Sequence, residues 1–199
     1  MGIKAVIFDW GGVMIDDPAP GLMRYCAEAL GVTREQYTQV HSAMCRPFQE
    51  GRVTEEVFWQ GVCGQLGCAM PMGSLWGEAF QAVYAPRQEM FDLVVRLRGK
   101  GCRTALLSNT EPPCVRHLRG LGDHPFDVLV FSCVEGVCKP DRRIYERALK
   151  RLGVSGQEAV FVDDRPEFVE GARQVDLRAV LFEGAGPLQA RLAAMGMRL

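Results

Sequence analysis

Short apolar runs alternate with longer amphipathic stretches along most of this chain. Five runs are brief and partly β-branched, as strands buried on both faces of a sheet are: Ala5–Phe8, Thr104–Leu107, Val128–Phe131, Ala159–Val162 and Ala179–Phe182. Helical patterns follow several of them, at Glu89–Gly99, Cys114–Leu121, Ile144–Leu152 and Pro166–Gln174. Because such crossovers join parallel strands, we predict an α/β fold with a parallel sheet and helices on both faces.

Residues 14–87 break this alternation. This stretch shows no clear strand pattern but four helical ones, at Leu22–Leu30, Arg34–Met44, Glu55–Leu66 and Leu75–Tyr84. We therefore predict an all-helical cap at 14–87, inserted after the first strand and called the inserted segment below. The catalytic core would comprise residues 1–13 and 88–199. Large aromatic residues should form the core of the inserted segment or its face over a site; they are Phe48, Phe58, Trp59, Trp76 and Phe80.

Composition excludes several classes of function. The 199 residues carry a net charge of −1, which gives no electrostatic basis for binding nucleic acid or an acidic membrane surface. No apolar run approaches the roughly 20 residues that span a bilayer. The eight cysteines lack the usual zinc-ligand spacings. The first strand begins without a signal-peptide pattern, so we expect a cytoplasmic protein. We further expect a monomer or homodimer, without nucleic-acid or membrane partners.

Polar residues that could take part in catalysis or ligand binding follow the predicted strands. Asp9 ends the first strand and precedes Gly11 and Gly12, which permit a sharp turn and close backbone approach. Ser108–Asn109 follow the second strand and Asp163–Asp164 the fourth, while Lys139 lies in the loop after the third. Because ligands bind beyond the carboxyl ends of parallel strands, we expect these residues to share one edge of the sheet.

These side chains suit phosphate chemistry. Clustered carboxylates, from Asp9 and Asp163–Asp164, would repel one another without a cation, and oxygen ligands on loops suit Mg²⁺ bound together with a substrate phosphate. Ser108–Asn109 offer a hydroxyl and an amide to phosphate oxygens, and Lys139 offers a positive charge. Asp9 can attack phosphorus and form an aspartyl-phosphate.

Four motifs, in register along nearly the whole chain, resemble those of the haloacid dehalogenase-like hydrolase superfamily. They are Phe8–Val13, Leu107–Thr110, Cys138–Asp141 and Val162–Glu167. Within the superfamily the chain is most similar to small bacterial sugar-phosphate phosphatases of the glucose-1-phosphate phosphatase-like branch. The resemblance implies a Rossmann-like core with a helical cap and a Mg²⁺-dependent phosphatase. Its substrate would be a small phosphorylated metabolite, with a sugar phosphate favoured.

The resemblance also implies a role for each motif residue. Asp9 would be the nucleophile and a Mg²⁺ ligand, with Asp164 and the backbone carbonyl of Gly11 as further ligands. Asp163 would position these ligands without binding the metal itself. Lys139 would be catalytic, and the residues that hold the phosphoryl group would be Ser108, Asn109 and Lys139.

Two positions depart from the family pattern. Gly11 stands where most phosphatases of the superfamily carry an aspartate acid/base, and Phe168 stands where Asn or Asp is frequent. An anomeric sugar phosphate would tolerate the loss at Gly11, because its leaving oxygen needs less protonation. Side chains that could replace the acid are Asp16, Asp17, Glu50 and His41. Two alternatives remain: a dehalogenase of a small haloacid, whose halide leaves unprotonated, and a catalytically weak or silent phosphate-binding module.

Overall fold

The computed structural model describes residues 2–198 and contains one five-stranded parallel sheet. Its strands are β1 (Ala5–Phe8), β2 (Arg103–Ser108), β3 (Val128–Phe131), β4 (Ala159–Asp163) and β5 (Arg178–Leu181). Their order across the sheet is β3-β2-β1-β4-β5. In the register, Phe8 lies beside Leu106 of β2 and Val162 of β4. The central strand β1 therefore has β2 and β4 as neighbours, which brings three of the predicted site segments side by side.

Ten helices accompany the sheet in the described part of the chain. The inserted segment contains α1 (Ala19–Leu30), α2 (Arg34–Gln49), α3 (Glu55–Leu66) and α4 (Leu75–Val83). The remaining helices are α5 (Gln88–Gly99), α6 (Pro112–Gly120), α7 (Ser132–Glu135), α8 (Arg142–Leu152), α9 (Pro166–Arg173) and α10 (Ala185–Ala194), with a 3₁₀ turn at Gly156–Glu158. The α/β class, the parallel sheet and the helices on both of its faces are confirmed.

The two faces of the sheet bury separate hydrophobic cores. Successive side chains of a strand point to opposite faces, so Val6 and Phe8 pack on one side and Ala5 and Ile7 on the other. The first core continues into α5, α10 and the aromatic residues of the inserted segment. The second core is closed by α8 and α9. Both faces of β1 are thereby buried, which explains its uninterrupted apolar sequence.

Helix α2 differs most from its predicted extent, α1 and α6 begin a few residues earlier than predicted, and α7 and α10 were not predicted. Helix α2 was expected to end at Met44 but continues through Pro47 to Gln49. Proline removes one helical hydrogen bond, yet buried Phe48 stacks on Phe58 with centroids 4.7 Å apart, and this packing holds the last turn. The sequence pattern does not indicate α10, because Gly184 and Pro187 are typical of loops and this short helix buries only a narrow apolar face.

The inserted segment packs around aromatic side chains. All five of its predicted core aromatic residues are buried: Phe48, Phe58, Trp59, Trp76 and Phe80. Thr33 and Thr54 begin α2 and α3 as N-caps, each accepting a hydrogen bond from the backbone three residues later. Among residues 2–198, no helix combines the length and the apolar character needed to cross a bilayer.

Candidate active site

Three carboxylates meet at the carboxyl edge of the sheet. Asp9 follows β1, Asp163 ends β4, and Asp164 comes directly after it. One oxygen from each of the three side chains lies within 4.8 Å of the others. The parallel register of β1 and β4 produces this cluster, because Phe8 and Val162 are aligned and the chains leave the sheet together.

Lys139 bridges two of the three carboxylates, those of Asp9 and Asp163. Its Nζ is 2.7 Å from Oδ1 of Asp9 and 2.6 Å from Oδ2 of Asp163, and the residue is only 2% exposed. The ammonium group also lies over two aromatic rings, 4.8 Å from the centroid of Phe168 and 5.4 Å from that of Phe161. Phe168, which departs from the family pattern, thus contacts the lysine through its ring.

The second motif holds Lys139 in place. The Asn109 side chain accepts a hydrogen bond from Lys139 N at 2.8 Å and donates one to Lys139 O at 3.0 Å. The side-chain amide of Asn109, a residue predicted to hold the phosphoryl group, is thus engaged with this backbone. The hydroxyl of Ser108 makes only a long 3.5 Å contact with the carbonyl oxygen of Asn109, which leaves it available to a ligand.

Burial and charge set the protonation of these groups. Burial raises the pKa of Asp9, and the adjacent ammonium of Lys139 opposes this effect. Burial alone would lower the pKa of Lys139, but the carboxylates of Asp9 and Asp163 outweigh it and raise that pKa, so the lysine stays charged. The pKa of Asp164 is raised by burial and then by the charge of Asp163. When all three carboxylates are ionised, the single ammonium group of Lys139 leaves a net negative charge, which a bound cation would relieve.

The donor set fits a divalent cation with oxygen ligands. Both oxygens of Asp163 are occupied, one by Lys139 and the other by the backbone N–H of Arg165 at 2.9 Å. Asp9 and Asp164 therefore keep the oxygens that could bind metal. Asp164 approaches so closely that a Cβ atom on Gly12 would collide with its carboxylate. This close approach requires glycine at position 12, where φ is +82°.

A cavity of about 420 Å³ opens above these residues. Its floor includes Asp9, Ser108, Lys139 and Asp164, and Gly11 also lines it. Its walls come from α1, α2 and α4 of the inserted segment and from the start of α6. They include Leu22, Met23, His41, Trp76, Phe80 and Glu111.

The four candidate replacements for a missing acid have different surroundings. Asp16 is bound to Arg87 at 2.8 Å, and buried Glu50 is bound to Arg46 at 3.0 Å and to Arg52. Asp17 and His41 line the cavity. Gly11 itself is covered by proline, since a Cβ atom there would lie 3.0 Å from Cδ of Pro18.

Glu111 is a cavity residue that the sequence did not single out. It is 5% exposed and accepts hydrogen bonds from Gln49 Nε2 at 2.9 Å and Trp76 Nε1 at 3.0 Å. Burial raises its pKa. An acid just before two prolines indicates a helix N-cap, yet Glu111 makes no side-chain capping bond and instead joins α6 to α2 and α4.

Comparison with known proteins agrees with this geometry. The chain is 31% identical over 178 residues to mouse Acyl-CoA dehydrogenase family member 10, covering 81% of this chain but only 16% of that protein. It is 29% identical over 179 residues to the sesquiterpene phosphatase astK of Aspergillus oryzae, with 87% of each protein covered.

A solved structure shares the fold. A Bacteroides thetaiotaomicron enzyme of the HAD family, in complex with magnesium and inorganic phosphate, superimposes with a TM-score of 0.76. The two are 19% identical, over 90% of this chain and 94% of that one. The sequence profile of the haloacid dehalogenase-like hydrolases matches residues 3–176. The chain therefore belongs to the haloacid dehalogenase-like hydrolase family, and it is a hydrolase of that fold.

Proposed function

We propose that this hydrolase is a Mg²⁺-dependent phosphatase that acts on a small phosphorylated metabolite through an aspartyl-phosphate on Asp9. The observation that carries the proposal is the cluster of three carboxylate oxygens within 4.8 Å, with Nζ of Lys139 2.7 Å from Asp9. A cluster with excess negative charge at the floor of a cavity favours a divalent cation and a phosphate together.

In this scheme Asp9 is the nucleophile. One of its carboxylate oxygens forms a bond to phosphorus while the bond from phosphorus to the ester oxygen breaks, and the leaving oxygen takes the electron pair. Water then attacks the phosphorus of the aspartyl-phosphate and gives a proton to the group that protonated the leaving oxygen, which releases inorganic phosphate and regenerates the Asp9 carboxylate. Lys139 and Ser108 would bind phosphoryl oxygens throughout, and Asn109 would contribute by fixing Lys139.

Mg²⁺, held by Asp9, Asp164 and the carbonyl of Gly11, would neutralise charge on the phosphoryl group. Asp163 is completely buried and holds Lys139 and the turn at Arg165, so we assign it a positioning role. Residues 14–87 would act as the cap over a core made of 1–13 and 88–199.

Asp17 is our choice for the group that protonates the leaving oxygen. It lines the cavity, whereas Asp16 is paired with Arg87, and it lies close enough for its charge to raise the pKa of Asp164. A sugar phosphate is the favoured substrate, because an anomeric leaving oxygen needs less help from an acid. The phosphatase relative from Aspergillus supports phosphate-ester hydrolysis as the reaction.

Phosphate release from p-nitrophenyl phosphate tests the proposal. Activity should require Mg²⁺, disappear with EDTA, and fall by at least about 10³-fold in Asp9→Asn, since the amide that replaces the carboxylate is a poor nucleophile. Asp123→Asn, an exposed aspartate outside the cavity, is the matched control and should keep full activity. Full activity in Asp9→Asn would reject the mechanism.

Two other outcomes would point to the alternatives. Chloride release from 2-chloropropionate in the presence of EDTA would indicate a dehalogenase. Phosphate affinity without turnover across a panel of phosphate esters would indicate a silent binding module. The retention of Asp9, Lys139 and Asp164 together at the cavity floor favours the phosphatase over both.

A further inference from the structure

The walls of the cavity carry acidic side chains, as its floor does. Among the described residues that line it, the cations are Lys139 and Arg165. Lys139 is paired with Asp9 and Asp163, and Arg165 is paired with Glu167 at 2.5 Å. The walls add two acids, Asp17 and Glu111, to the carboxylates of the floor. A second anionic group on a substrate would therefore meet an excess of negative charge, and both cations among residues 2–198 that line the cavity are already paired.

Much of the wall surface is apolar. Leu22 and Met23 of α1 face the cavity, as do Trp76 and Phe80 of α4. Trp76 donates its indole N–H to Glu111, which also accepts from Gln49.

His41 is different, because one of its two ring nitrogens, Nε2, is buried and has no hydrogen-bond partner among residues 2–198. Its imidazole stacks on the indole of Trp76, with centroids 5.1 Å apart and planes inclined by 5°, and Phe58 contacts it edge-on. Nε2 is buried and makes no hydrogen bond with any described residue. Burial lowers the pKa of His41 to about 4, so the ring is neutral near pH 7 and can exchange a hydrogen bond with a hydroxyl. Buried polar atoms are rarely left unpaired, which makes a ligand group the natural partner.

We propose that the cavity selects phosphate monoesters whose remaining part is uncharged and partly apolar, and that His41 determines specificity by hydrogen-bonding a hydroxyl of that part. This inference rests on the proposed function for the position of the phosphate. Substrates that carry a carboxylate or a second phosphate would be excluded, and His41 would recognise the part of the substrate that is esterified to the phosphate.

Three phosphonates of one scaffold test this selection by calorimetry, in the presence of Mg²⁺ and without turnover. They are benzylphosphonate, 4-(hydroxymethyl)benzylphosphonate and 4-carboxybenzylphosphonate. The hydroxymethyl compound should bind roughly three- to tenfold more tightly than the parent, as one added hydrogen bond allows. The carboxylate should bind at least about tenfold more weakly than the parent, because its charge has no partner.

Variants assign these differences to residues. In His41→Phe, which keeps an aromatic ring beside Trp76, the advantage of the hydroxymethyl compound should disappear while the parent binds as before. Met23→Arg, which adds a cation to the wall, should recover most of the affinity for the carboxylate. Met72→Arg is the matched control, since Met72 is 93% exposed and does not line the cavity, and it should recover none.

Equal binding of the parent and the carboxylate, or a hydroxyl advantage that persists in His41→Phe, would overturn the inference. So would failure of all three compounds to bind while p-nitrophenyl phosphate is hydrolysed, and that result would leave the proposed function intact. Selective binding without any hydrolysis would reject the proposed function and support the inference, so the two fail separately.

Discussion

The side-chain amide of Asn109 exchanges two hydrogen bonds with the backbone of Lys139, at 2.8 and 3.0 Å, although 30 residues separate them. This pair fixes the backbone from which Lys139 reaches Asp9 and Asp163. The position of the ammonium group therefore depends on an amide from the neighbouring motif. Rigid placement of such a charge is what a preorganised site requires.

Asn109→Asp should lower kcat/KM for p-nitrophenyl phosphate by roughly 10- to 100-fold, because misplacing a catalytic group by about 1 Å has effects of this size. The aspartate keeps the acceptor for Lys139 N but turns a carboxylate oxygen toward Lys139 O. Chemical unfolding of the same variant separates a local shift from a general loss of structure. Unchanged kcat/KM would show that the amide has no part in positioning Lys139.

Gly12→Ala should reduce both activity and Mg²⁺ affinity. A Cβ atom at this position collides with the Asp164 carboxylate, so that side chain must leave the cluster. We expect a loss of about 10²-fold in kcat/KM and a higher Mg²⁺ requirement, measured by titrating the metal against phosphate release. Gly31→Ala is the matched control, because Gly31 also has a positive φ, +67°, but nothing lies within 4 Å of its added Cβ atom. It should cost about 1–2 kcal/mol of stability with activity retained.

Asp17→Asn should affect poor leaving groups more than good ones. An acid contributes most where the leaving oxygen is basic, so kcat/KM should fall roughly 10- to 100-fold for an alkyl phosphate and only a few-fold for p-nitrophenyl phosphate. Asp16→Asn provides a neighbouring control, since Asp16 forms an exposed ion pair with Arg87. Equal losses on both substrates in Asp17→Asn would remove it as the acid.

His41 should make the protein less stable as pH falls. Its pKa is lowered from 6.5 to about 4 by burial, so between these values the unfolded chain binds a proton that the folded protein does not. The stability due to the neutral ring is fully present above pH 6.5 and is lost progressively down to pH 4.

The wild type should therefore lose on the order of 2–3 kcal/mol more than His41→Phe between pH 7 and pH 4, measured by urea unfolding. The other acidic groups titrate in both proteins and cancel in the difference. Parallel losses in the two proteins would mean that His41 is not held neutral in the folded state.

The sequence by itself determined the sheet and the edge where the site lies. β1 and β3 have their predicted bounds, and the other strands differ by a residue at their ends, because burial on both faces demands apolar runs that local pattern reveals. Asp9, Ser108 and Asp163 were placed together correctly, since parallel strands end at one edge.

Only the tertiary structure decided how distant side chains meet. Three contacts link residues that are far apart in the chain. They are the two hydrogen bonds between Asn109 and Lys139, the ring of Phe168 against the same lysine, and the hydrogen bonds by which Glu111 joins α6 to α2 and α4. A local pattern carries no information about such pairs. Tertiary packing also decides that α2 extends past Pro47. Burial of Phe48 outweighs the tendency of proline to end a helix, which is the effect that the local sequence shows.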